Sequence, residues 1–171
     1  MGKKELLDVL NESLTMEEKG HKFYQEGIKK IKNSLGKRML QRLAEDELIH
    51  IKRIKDIFKL LNENMMEKVK IDSPRVIIFD EIFNRMKAQL EDVAEELTEV
   101  GVDDEEIIAV ALELESHAKF FYQDAAKNAD NEKVKKFYEM LAQEENSHYE
   151  LLRNAHNYLE NPSLFYGMRY H

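Results

Sequence analysis

Apolar residues recur at helical spacing along four long stretches of this chain, and each of those stripes is interrupted by charge. Over residues 4–33 the recurring positions are Leu7, Leu10, Leu14, Tyr24, Ile28 and Ile31, which predict a first helix. Leu40, Leu43, Ile51, Ile54, Phe58 and Leu61 carry a second helix to about position 62. Between them, Asn33-Ser34-Leu35-Gly36 predicts a tight break, with Asn and Gly suited to a C-terminal cap and Ser34 to the cap of the next helix. Residues 62–75 leave the pattern and contain Asp72-Ser73-Pro74, so they read as a connection. A further helix is expected over 77–100, although Val76-Ile77-Ile78-Phe79 also suits an extended start. Gly101 and the acidic run Asp103 to Glu106 open a third long helix. The break at 128–131, with Asp130 or Asn131 as cap, opens a fourth that ends before Pro162.

The expected fold is therefore all-α: two helix hairpins, 4–62 and 103–160, joined by a crossover over 63–102 that holds an extra helix. Short loops make antiparallel neighbours, so the hairpins should form an antiparallel four-helix bundle. At 171 residues the chain suits a single domain, closed by an aromatic tail over 161–171 with Leu164, Phe165, Tyr166 and Tyr170.

Composition narrows the chemistry. Only 6 Gly and 2 Pro among many Glu, Lys and Leu favour helix over sheet. A net charge of −8 gives no electrostatic case for nucleic acid. The absence of Cys excludes disulfides, thiol catalysis, Cys-ligated zinc and iron–sulfur centres within this chain. No signal peptide and no membrane-length apolar run is apparent, so a soluble cytoplasmic protein is expected.

The charged interruptions are not random. Glu17, Glu47 and His50 each recur 98 positions later, as Glu115, Glu145 and His148, and the pair Phe23-Tyr24 recurs as Phe121-Tyr122. On helical rows these ionisable residues stand among aliphatic neighbours: Leu40, Glu47, Ile54 and Leu61 in one, Tyr138, Glu145, Leu152 and Leu159 in another. Four carboxylates in an apolar core repel one another and lose hydration, a cost that two divalent cations offset. His lies on the same helix face as the Glu three residues before it. Four Glu and two His make an oxygen-rich site suited to Fe or Mn, with Zn also admitted. The small residues Gly20 and Ala118 leave volume on that face, while Tyr24 and Tyr122 are placed to hydrogen-bond a ligating carboxylate. His21, His117, His156 and His171 have no such counterparts and are expected at the surface or in packing. Glu18, Glu45, Asp46, Glu113 and Glu144 are expected on solvated faces, some of them behind the ligands.

On these motifs the chain resembles the ferritin-like superfamily, specifically its rubrerythrin-like branch, over about 4–60 and 103–160. The carrying strings are Met16 to Tyr24, Leu114 to Tyr122, Glu47-Leu48-Ile49-His50 and Glu145-Asn146-Ser147-His148. One Glu from each of two helices plus Glu-x-x-His from the other two is the inventory of ferritin-like di-iron sites. The resemblance implies a ferritin-like bundle with two Fe ions that reduces hydrogen peroxide or dioxygen at a diferrous centre. Glu47 and Glu145 would then bridge, Glu17 and Glu115 would be terminal, and His50 and His148 would serve one iron each. Tyr24 and Tyr122 would tune or protect the site. A homodimer and an external electron donor, rubredoxin-like or a flavoprotein, are further expectations. The alternatives are a ferroxidase or iron-buffering protein of bacterioferritin type, and an oxygenase acting on an organic substrate. Two departures stand out. No rubredoxin domain is present, and Ala118 occupies the place of the additional carboxylate that rubrerythrins use in ligand switching.

Overall fold

The computed structural model describes residues 1–89 and 97–162, and among these the regular structure is entirely helical. Helix α1 spans Lys3–Lys30, α2 Ser34–Asn62, α3 Phe79–Gln89, α4 Asp104–Asn128 and α5 Glu132–Glu160, with a 3₁₀ turn at Met66–Lys68. Helix α1 packs chiefly on α2 and α4 on α5, giving the two expected hairpins. The expected extra helix in the crossover is α3. Residues 163–171, with the aromatic residues of the tail and His171, lie outside the described residues, as do residues 90–96 of the 77–100 stretch.

The core falls into two apolar clusters. One gathers Ile31, Leu35, Leu40, Leu43, Ile108 and Leu152, and the other Leu10, Ile54, Leu61, Tyr122, Val134 and Leu141. Helix α1 runs from the second cluster to the first, α2 returns, α4 again starts in the first, and α5 returns. The crossover must therefore carry the chain the length of the bundle, which explains its size. The charged positions of all four long helices fall between the two clusters, at one level.

The α1–α2 turn differs from expectation. Helix α1 stops at Lys30, and Ile31 is already extended at φ −66°, ψ 131°. The cause is a long-range anchor. The buried Asp104 carboxylate, at the start of α4, accepts the N–H groups of Lys32 (2.9 Å), Asn33 (2.8 Å) and Gly101 (2.7 Å). Asn33, not Ser34, caps α2 by accepting from Gly36 N–H at 2.9 Å, so Gly36 lies within the first turn and is no C-cap. An added Cβ there would sit 2.7 Å from Ile31 Cδ1, the far end of a side chain that would have to shift. At the next break Asn131 is the cap, accepting from Lys133 and Val134.

Asn33 is buried, and its amide also donates to the carbonyls of Leu97 and Glu99, both at 2.9 Å. Replacing it by Ala removes a cap and both amide bonds, although the Leu97 carbonyl keeps the Tyr158 hydroxyl as a donor. Unfolding by denaturant should show a loss of about 1–2 kcal/mol, the usual cost of a lost cap with its neighbouring bonds. A loss under about 0.5 kcal/mol would mean that water takes over these bonds.

The crossover reaches α3 without regular structure over 69–78, and of Val76 to Phe79 only Phe79 belongs to the helix. Arg75, Ile77 and Phe79 turn inward, while Val76 and Ile78 are 66% and 50% exposed. Two bonds fasten this strap to α5: Ile77 N–H donates to Ser147 Oγ at 2.8 Å, and Ser147 Oγ donates to the Ile77 carbonyl at 3.3 Å.

Candidate metal centre

The structure brings all six residues of the repeated pattern together. Glu17 comes from α1, Glu47 and His50 from α2, Glu115 from α4, and Glu145 and His148 from α5, and every one is buried. They form two overlapping groups, Glu17, Glu47, His50 and Glu145, then Glu47, Glu115, Glu145 and His148. Within each group one donor atom per residue lies within 4.8 Å of the others, and Glu47 and Glu145 belong to both. Nδ1 of His50 is 3.0 Å from Glu145 Oε1 and 3.1 Å from Glu17 Oε2. Nδ1 of His148 is 3.3 Å from Glu145 Oε2 and 3.4 Å from Glu115 Oε2. The two imidazoles stack with ring centroids 5.6 Å apart.

The tyrosines act crosswise. Tyr24 on α1 donates to Glu115 Oε1 on α4, and Tyr122 on α4 donates to Glu17 Oε1 on α1. Each lone Glu is thus oriented by the opposite half of the repeat. Carboxylate neighbours and burial hold both phenols well above their ordinary pKa, so they remain donors. His21 stands apart, with Nδ1 2.9 Å from the Ala44 carbonyl.

Asp46 and Glu144 are fully buried, so neither belongs to a solvated face. Each lies behind a histidine of the other hairpin: Glu144 Oε2 is 2.7 Å from His50 Nε2, and Asp46 Oδ2 is 3.1 Å from His148 Nε2. Burial pushes both carboxyls up, but the histidine contacts and nearby arginines hold them below the usual range, so they are ionised. An ionised carboxylate only accepts, so each Nε2 carries the hydrogen and each Nδ1 faces the inner cluster. The sequence signal existed. Asp46 and Glu144 are themselves 98 positions apart, each immediately before a ligand-type Glu.

Protons compensate the inner charge when no cation does. Burial and the neighbouring Glu17 carboxylate push Glu47 well above the usual range. Burial and Glu145 push Glu115 up to about 8. Burial disfavours the charged form of Glu145 too, yet the His50 charge, with Glu115 and His148 close by, holds it well below. Burial pulls both imidazoles down, but the carboxylates around them raise them well above their ordinary value. Protons at this site therefore occupy positions that cations can take.

Among the described residues, four buried side-chain atoms have no hydrogen-bond partner: Glu115 Oε2, both oxygens of Glu145 and His148 Nδ1. Once deprotonated, all four are lone-pair donors within one cluster, and leaving such groups unsatisfied is costly. Oxygen and imidazole donors in two sets sharing two carboxylates fit a pair of divalent cations. Beside them is a cavity of about 40 Å³, bordered by Glu17, Gly20, Glu47, Glu115, Ala118 and Glu145. A Cβ at position 20 would meet Glu47 Oε2 at 3.2 Å, so Gly20 helps keep this space.

A family model described as Rubrerythrin matches residues 8–156. Neither the curated proteins nor the solved structures give a significant match.

Proposed function

We propose, from the premise that the chain belongs to the rubrerythrin family, that it is a di-iron oxidoreductase reducing hydrogen peroxide, or dioxygen, with electrons from an external donor. Glu47 and Glu145 are assigned as the shared ligands, because both belong to each group of donors. Glu17 with His50, and Glu115 with His148, complete the two positions. Held by these six residues, two Fe(II) ions would supply the two electrons that, with two protons, convert hydrogen peroxide to two waters. The protein's own residues set the conditions. Tyr24 and Tyr122 hold the terminal carboxylates, and Glu144 and Asp46 fix the histidine tautomers.

The size of the cavity supports a small oxidant as substrate. A water needs roughly 10–15 Å³ of such space, so about 40 Å³ suits peroxide or dioxygen better than a sizeable organic substrate. An oxygenase acting on an organic molecule is correspondingly disfavoured. Stopped-flow mixing of anaerobically Fe(II)-loaded protein with one equivalent of either oxidant tests the reading. Oxidation by peroxide should be the faster, by at least about tenfold, or ~1.4 kcal/mol of barrier. Prompt oxidation by oxygen with inertness to peroxide would sink the peroxidase version. Ala118 favours the second reading, a ferroxidase or iron buffer, because it keeps the two halves equivalent at six ligands. That reading predicts turnover of many Fe(II) per site.

A further inference from the structure

The 98-residue repeat duplicates the histidines and the carboxylates behind them, but it does not duplicate the cations behind those carboxylates. Glu144 accepts from Arg53 Nη1 at 2.9 and 3.0 Å, a guanidinium supplied by α2 three residues after His50. The corresponding position after His148 is Leu151, which is buried in the apolar core. Helix α5 therefore offers Asp46 no arginine at the equivalent place. The crossover supplies one: Arg75 Nη2 and Nε lie 3.0 and 3.3 Å from Asp46 Oδ1, with Arg42 more distant at 3.6 Å. The same residue's backbone N–H donates to Glu144 Oε1 at 2.7 Å. Arg75 thus touches the carboxylates behind both histidines, and the Ile77–Ser147 bonds hold it in that place.

We propose that Arg75 is a positioning residue that balances the two metal positions by withdrawing charge from Asp46, and through it from His148. This rests on the di-metal reading above. A carboxylate that accepts strongly from Nε2–H makes Nδ1 a better electron donor and favours the more oxidised metal. A guanidinium on the far side of that carboxylate competes for its charge, and its planar fork does so from a fixed direction. Removing it leaves Asp46 pulling harder on His148, while Glu144 keeps both Arg53 and the backbone donor. The metal position at His148 should then become harder to reduce, and the position at His50 should change little. The two halves move apart.

The test compares wild type, Arg75→Gln and Arg75→Lys after anaerobic loading with iron. Iron per chain is counted, and a potentiometric titration is followed by the EPR signal of the half-reduced centre. Arg75→Gln should bind two irons and shift one of its two reduction steps downward by a factor of about ten in the ferric-to-ferrous ratio, or ~59 mV for one electron. Arg75→Lys, which keeps the charge but loses the fork, should shift the same step by less. Should the Gln variant lose iron, the Lys variant alone decides, again through a downward shift of that single step. Two irons bound with both steps unmoved in Gln and Lys overturns the role of Arg75, as does an equal shift of both steps. Failure of the wild type itself to bind two irons overturns the di-metal reading and this inference with it.

Discussion

Replacing Glu47 should abolish metal binding and at the same time stabilise the metal-free protein. Glu47 belongs to both donor groups, so its loss damages both positions rather than one. Glu47→Ala is expected to reduce bound iron from two per chain to none, measured by elemental analysis after gel filtration. Glu47→Gln keeps the shape and is the better probe of stability. In the metal-free protein burial and Glu17 hold the Glu47 carboxyl well above its usual range. The folded state therefore keeps a proton that the unfolded chain releases near pH 4.5. That mismatch costs nothing below the unfolded value and grows as pH rises towards the folded one. An amide has no proton to keep. The Gln variant should accordingly match the wild type near pH 5 and exceed it by about 1–3 kcal/mol near pH 8, within the range for replacing buried charges. A purely structural role predicts the opposite sign, because an uncharged amide would then replace a useful interaction. Urea unfolding of both proteins at the two pH values separates the cases.

What the sequence revealed and what it hid divide along a physical line. The four long helices were legible because each buries one apolar stripe, and the six inner residues because charge on such stripes needs compensation. Ligand grouping was equally accessible, since i and i+3 are fixed by helix geometry. The α1–α2 turn was misjudged because Asp104, some seventy residues away, takes its backbone donors and ends α1 at Lys30. No local rule contains that bond. Asp46 and Glu144 are a different case, since some of the five acidic residues were expected behind the ligand candidates but which ones was not read. Composition places acidic residues in water, yet both follow the same offset as the ligands, and the repeat was a stronger guide than the average behaviour of Asp and Glu. Arg75 had no signal at all. It lies in the non-repeated crossover, and only the folded strap brings it to two carboxylates that are 98 positions apart.

Loading the site should stabilise the protein strongly, and the gain should grow with pH. Each of two sites filled at roughly a hundredfold excess over its Kd contributes about 2.7 kcal/mol, so the pair is worth about 5 kcal/mol. For a chain of this length that corresponds to a Tm rise of roughly 10–20 °C. The pH dependence comes from the protons the metals displace. Glu115 titrates near 4.5 when unfolded and about 8 when folded without metal. Its proton stabilises the metal-free fold relative to the unfolded chain at low pH, and that contribution is lost as pH rises from 4.5 through about 8. The histidines act in the same direction. Both are raised well above 6.5, so their contribution is present below 6.5 and disappears as pH climbs through their folded values. The metal-free Tm should therefore fall between pH 5 and 9. Bound cations need the deprotonated donors, so their affinity rises over the same interval and the two melting curves diverge. Mn(II) or Zn(II) in place of iron keeps redox chemistry out of the measurement. Parallel curves for the loaded and metal-free protein across pH 5–9 would mean that the buried carboxyls and imidazoles do not exchange their protons for metal.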